Sequence, residues 1–117
     1  RSRGLGDVYK RQEYALEASL ISEIPEPVDL LINTSAVGLR GEAFGFQVAC
    51  CVKSGGAVFD MVYGSAPTQL VREAREHGLA VADGLGMLSA QGEAAFQLWF
   101  GSAPESHVMR QALGMID

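Results

Sequence analysis

Three short apolar runs, each followed by a segment of helical character, leave this chain few folds to choose from. They cover residues 28–33, 57–62 and 79–82. Continuous rather than alternating hydrophobicity marks strands covered on both faces, as in a parallel sheet whose crossovers are helices. Pro25 and Pro27 fix φ and bias the residues before them toward extended structure, so the first run is entered stretched. It closes on Asn33-Thr34-Ser35, which reads either as a plain turn or cap or as polar groups at a ligand edge. Residues 38–52 are irregular, with a short helix predicted over 48–52 and a turn over 53–56. The second run carries Asp60, read as an anchor for the strand end, and residues 63–67 lead into a second helix with Pro67 near its first turn. Leu70, Val71 and Ala74 give that helix its inner face, and His77-Gly78 closes it. A third helix is expected to run through Trp99 and to break at residues 101–104. A last one over 105–115 would turn Val108, Met109, Ala112 and Leu113 inward and leave His107 in solvent. The order β-α-β-α-β-α-α with short connections predicts an α/β fold with a parallel sheet and right-handed crossovers.

The third run ends in a corner, Asp83-Gly84-Leu85-Gly86-Met87-Leu88-Ser89-Ala90-Gln91. Two glycines one residue apart predict a strand-to-helix turn with positive φ and room for a ligand against the backbone. The helix that follows would put Leu88, Gln91, Ala95 and Leu98 on one face. An amide in such a stripe needs partners, since leaving it unpaired costs roughly 1–3 kcal/mol, and either neighbouring backbone or a polar ligand would serve. As a nucleotide-binding fingerprint the corner fails: the third glycine is missing, and no acid stands at the ribose-binding offset.

The 117 residues, 48% hydrophobic and 20% charged, suit one small globular domain and are too few for two. Residues 1–12 lack hydrophobic period, and Asp7 to Gln12 back-translate to GATGTGTATAAGAGACAG, the transposase end used in sequencing libraries. They are therefore read as a translated adapter, with a basic tail as the alternative. Without them the net charge falls from −5 to −8, five basic residues against thirteen acidic. Such a chain lacks the clustered basic face that nucleic acid requires, and no apolar run approaches the ~20 residues of a membrane span. A cytoplasmic protein is expected. Residues 13–22 read as a frayed helix or the remnant of one. Cys50 and Cys51 are adjacent, which permits only a strained bridge. With no Cys/His cluster at metal spacing they read as small buried hydrophobes, and no metal site is expected.

The run from Asp83 to Gln91, with Ala95, Phe96, Leu98 and Trp99 behind it, resembles the closing signature of shikimate dehydrogenases. Residues 29–38 (DLLINTSAVG) and 58–63 (VFDMVY) resemble the same family's motifs, in the same order and spacing. The resemblance covers roughly residues 27–113 and implies the last three strands of a six-stranded Rossmann-like sheet, ordered 3-2-1-4-5-6, with a C-terminal helical pair. Residues 13–117 would then be the C-terminal part of an NADP-binding domain. The activity implied is NADPH-dependent reduction of 3-dehydroshikimate to shikimate, in aromatic amino acid biosynthesis. The Lys and Asp that assist proton transfer lie in the family's other domain, so no catalytic residue falls on this chain. The resemblance implies that Tyr63 and Gln91 reach the substrate and that Thr34, Ser35, Met61, Gly84 and Met87 line the cofactor. Two departures stand out: Ser35-Ala36 where Pro or Ser often follows a hydroxyl residue, and Gly92 where a better helix former is usual. The alternatives are an NAD-using quinate/shikimate dehydrogenase paralogue and a noncatalytic half-domain that binds a metabolite, or a partner along its exposed first strand.

Overall fold

The structure is a computed structural model that describes residues 26–105 and 107–116. The expectations for residues 1–12 and 13–22 lie outside them. Three parallel strands, β1 (Val28–Asn33), β2 (Val52–Asp60) and β3 (Ala80–Asp83), form one sheet in that order. Helices α1 (Val48–Cys51), α2 (Gln69–Glu76), α3 (Gly84–Phe100) and α4 (Val108–Ala112) complete the β-α-β-α-β-α-α sequence. The predicted fold class is the observed one.

Register explains where the core lies. Leu31, Val58 and Val81 lie side by side across the sheet. They face a core of Val48, Val52, Leu70, Ala74 and Leu79, so α1 and α2 cover one face. On the other, Leu30 and Ile32 remain 52% and 47% exposed. The expectation of a strand covered on both faces is thus corrected for β1: nothing among the described residues packs over its second face.

The second strand is longer at its start and shorter at its end than predicted. Residues 53–56, read as a turn, lie inside β2 as an irregularity opposite Asp29. Gly55 takes φ +78°, and a Cβ on Gly56 would come within 2.9 Å of the Asp29 and Lys53 carbonyl oxygens. Those glycines serve a bulge, where backbone crowds backbone. At its other end β2 stops at Asp60, because the Asp60 carboxylate accepts the Val62 N–H at 3.0 Å and curls the chain out of the ladder. Met61 and Val62 therefore leave the sheet. The third strand runs one residue later than expected.

Thr68 caps α2, its Oγ1 accepting the Val71 N–H at 3.3 Å, so Pro67 precedes the cap and lies outside the first turn. Leu70, Val71 and Ala74 are buried as expected. The helix ends with Gly78 at φ +69°, where Gly78 N–H reaches Arg75 O and Leu79 N–H reaches Ala74 O. This paired closure satisfies the last carbonyls and aims Leu79 into the core.

The glycine corner departs most from prediction. Gly84 and Gly86 belong to the first turn of α3 and neither has positive φ. Asp83 caps the helix, accepting the Leu85 N–H at 3.1 Å. Only Gly84 is sterically required: a Cβ there would overlap Met61 O and lie 2.7 Å from Tyr63 Cδ1, whereas one on Gly86 would meet open space. The predicted apolar stripe on α3 is only partly covered: Leu88 and Ala95 are half-buried, while Gln91 is exposed and Leu98, with its neighbour Trp99, stands at 82% and 74% exposure. The last helix is shorter than 105–115. Val108 and Ala112 are exposed, while Met109 and Leu113 are half-buried. Met109 packs over Gly92, where a Cβ would lie 3.4 Å from Met109 Sδ, an ordinary contact, so the packing itself does not require glycine. Cys50 is exposed and Cys51 half-buried, where burial first, then the neighbouring Cys50 and Glu73, raises the Cys51 thiol pKa.

Candidate functional site

Asn33, Asp60 and Asp83 end the three strands in a single row, so the polar ends of all three apolar runs meet at one edge of the sheet. That edge is where ligands collect in open parallel sheets. Asp60 is fully buried and binds by hydrogen bonds alone. Asn33 Nδ2 donates to its Oδ1 at 2.8 Å, Val62 N–H donates to the same oxygen, and the Thr68 hydroxyl donates to Oδ2. Asn33 Oδ1 in turn accepts from the Ser35 N–H at 3.0 Å and the Ser35 hydroxyl at 2.7 Å. The expected anchoring role of Asp60 is what the structure shows. Thr68 escaped the reading of the sequence, although a threonine just ahead of a helical apolar pattern is a recognisable cap.

Three of the residues singled out above come together around this network. Met61 N–H is tied to Asn33 O at 3.1 Å, which sets Met61 beside the end of β1. The Met61 carbonyl and the Tyr63 ring both press on Gly84. Gly84 is therefore glycine because the end of β2 packs on it, not because its own φ demands it. Thr34 and Ser35 are exposed at the end of β1, with Ser35 held by Asn33. Met61 and Met87 are half-buried; Tyr63 is 43% exposed. Gln91 follows Gly84 by seven residues, which returns it to the same side of α3 about 10 Å along the axis. It stands in solvent rather than inside an apolar stripe.

Two small clefts flank the loop after β2. One of about 260 Å³ is bounded by Gly38, Leu39, Tyr63, Ser65, Thr68 and Arg72. The other, about 190 Å³, lies among Tyr63, Pro67, Val71, Asp83 and Leu85. Tyr63 borders both. A wider, shallow depression near Phe44, Arg72 and His77 is larger, at about 830 Å³, but none of the predicted site residues lines it. Among the described residues no group of three or more His, Cys, Asp or Glu side chains is placed to hold a metal ion.

The loop after β1 holds a carboxylate of its own. Glu42 accepts the Arg40 N–H at 2.9 Å and the Gly38 N–H at 3.2 Å. Those backbone bonds, the one from Arg40 foremost, hold the Glu42 carboxyl below its ordinary pKa. A carboxyl lowered by folding stabilises the turn above the unfolded-state value and ceases to do so as pH falls through the folded one. The Gly38 and Arg40 amide resonances should therefore shift together below the usual carboxylate range. In Glu42→Gln that step should vanish.

Comparison with known proteins supports a family-level assignment. A family model described as the shikimate 5'-dehydrogenase C-terminal domain matches residues 84–113. The shikimate dehydrogenase (NADP(+)) of Citrifermentans bemidjiense is 46% identical over 85 residues, covering 73% of this chain and 29% of that protein. That of Geobacter sulfurreducens is 42% identical over 98 residues, covering 84% and 34%. Shikimate 5-dehydrogenase from Thermus thermophilus, solved in complex with NADP(H) and shikimate, superposes with a TM-score of 0.76 at 34% identity. That superposition covers 92% of this chain and 41% of the other. The chain thus spans well under half the length of the relatives it matches.

Proposed function

Since this chain belongs to the shikimate dehydrogenase family, we propose that it forms one wall of the active cleft of an NADP-dependent enzyme that reduces 3-dehydroshikimate to shikimate. The observation that carries this reading is the meeting of Met61, Tyr63 and Gly84 at the strand ends, beside Ser35. Residues 13–117 would be the C-terminal part of the cofactor domain of a longer, cytoplasmic protein. No helix among the described residues is long and apolar enough to cross a membrane.

The residues present fit a nicotinamide. The half-buried Met61 thioether offers a polarisable surface to a flat ring without demanding hydrogen bonds, and the exposed Thr34 and Ser35 hydroxyls can serve a ribose or amide. Met87, one turn beyond Gly84 on α3, would extend the apolar wall. When bound, the dinucleotide supplies the hydride. The chain's own residues orient: the Tyr63 phenol and the Gln91 amide give a polyhydroxy carboxylate directional partners from a loop braced on Gly84 and from a helix. Neither transfers a proton in this account, and no catalytic residue is assigned here.

Recovery of the coding sequence on either side tests the proposal. The longer protein should carry a glycine-rich dinucleotide turn and a domain bearing Lys and Asp, and should oxidise shikimate with NADP. In it, Tyr63→Phe should raise KM for shikimate about tenfold, the effect of one lost directional hydrogen bond. The 117-residue chain alone should show no turnover. Turnover by the isolated chain, or a longer protein inert toward shikimate, would overturn the reading.

A further inference from the structure

We propose that Asp60 is a positioning residue, which fixes the path of Met61 to Tyr63 so that both meet the Gly84 corner while Ser35 is held beside them. The inference rests on the reading of this edge as the cofactor and substrate wall. Its support is geometric. Asp60 ends a strand otherwise made for burial, is itself wholly inaccessible, and forms no ion pair among the described residues. A carboxylate so placed is costly unless both its oxygens are hydrogen-bonded, and an apolar residue would suit the core better. Here it is satisfied by three donors from three different elements: Asn33 from the end of β1, Val62 from the loop after β2, and Thr68 from the cap of α2. Each bond has a consequence at the edge.

The Asn33 bond orients an amide whose oxygen then takes both polar hydrogens of Ser35. The Val62 bond bends the chain out of the ladder directly after Met61, the bend that turns the Met61 carbonyl and the Tyr63 ring onto Gly84. The Thr68 bond ties the far end of the 61–67 loop to the same carboxylate. A continuous series, Thr68–Asp60–Asn33–Ser35, therefore links the two sides of the wall. The role is directional rather than electrostatic. An asparagine at position 60 would keep Oδ1 for Asn33 and Val62 and could donate through its amide to Thr68 Oγ1.

Amide hydrogen exchange and ring contacts in the ligand-free 117-residue chain test this. In Asp60→Ala, exchange at Val62 should rise roughly tenfold or more, the size expected for losing a hydrogen bond to a charged group, and exchange at Met61, whose N–H is held by Asn33 O, should rise with it as the bend loosens. The Tyr63-to-Gly84 contact seen by NMR should disappear, while Val58 and Ala74 amides stay within about threefold. Asp60→Asn should restore the contact. Should Asp60→Ala fail to fold, Thr68→Val removes the donor to Asp60 Oδ2 together with the α2 cap, and should free the Val62 amide and the Tyr63 ring, with Thr68→Ser restoring both. A uniform rise that includes Val58 and Ala74, survival of the Tyr63–Gly84 contact in Asp60→Ala, or failure of Asp60→Asn to rescue it would overturn the assignment. Because no ligand is present, failure of the longer protein to use NADP would sink the proposed function and leave this result standing.

Discussion

Gly84→Ala is expected to be among the most damaging single-methyl additions in the chain. The new Cβ would overlap the Met61 carbonyl oxygen and come within 2.9 Å of the Met61 carbonyl carbon, and backbone cannot step aside as a side-chain tip can. Overpacking of this kind costs about 1–3 kcal/mol and sometimes more; backbone as the obstacle places this case at or above about 3 kcal/mol. The loop carrying Met61 and Tyr63 would have to move, and displacements near 1 Å cost on the order of a hundredfold in turnover when they misplace a substrate-positioning group. In the proposed full-length enzyme kcat/KM should fall accordingly. Gly86→Ala is the control. A Cβ there meets nothing, and the residue lies inside α3 with ordinary helical φ. Removing a helical glycine should stabilise the chain by about 0.5–1 kcal/mol. Chemical denaturation of the two variants would read the contrast, and equal effects from both would contradict the packing described for the corner.

Leu70→Ala should rival it. Leu70 is the largest fully buried side chain among the described residues, set between α2 and the sheet among Val48, Val58 and Ala74. Truncating a buried leucine costs about 2–5 kcal/mol, because lost burial and an unfilled cavity add. In a domain whose total stability is of order 5–15 kcal/mol, that is a large share. At about 4–8 °C of Tm per kcal/mol for a domain this small, the melting temperature should fall by more than about 10 °C. Ile32→Thr, on the open face of β1 where Ile32 is 47% exposed, should cost only about 0.5 kcal/mol. Thermal melts would separate the two. A comparable loss from both would mean that the second face of β1 is covered after all.

Particular residues show why some of this architecture could be read from the sequence and some could not. The strands were legible because Leu30 to Ile32 and Val58 to Phe59 are continuous apolar runs that suit few other structures. The inner face of α2 was legible because Leu70, Val71 and Ala74 repeat at helical spacing, with Gly78 marking the end. Residues 53–56 misled because a bulge needs the same glycines as a turn, and only the approach of Asp29 O to Gly56 tells them apart. On α3, periodicity announced an apolar face but carried no information about what covers it, and Leu98, Trp99 and Gln91 prove exposed.

The site divides along the same line. That Gly84 must be glycine was readable; the reason was not, since Met61 and Tyr63 are more than twenty residues away in sequence. Asp60 as an anchor was legible from a charge inside an apolar run. Its partner Thr68 was hidden, because a cap that also feeds a buried carboxylate looks in sequence like any other cap. Motif resemblance identified the family ahead of any coordinates, while the hydrogen bonds that hold the motif residues together required them.

A crystal structure of the longer protein with NADP and shikimate bound tests the central claim most directly. The account predicts the nicotinamide against Met61 and the Gly84 backbone, with the Tyr63 phenol and the Gln91 amide on the substrate. Ligands bound away from the carboxyl ends of β1 and β2, or Tyr63 and Gln91 left without contact to the substrate, would contradict it.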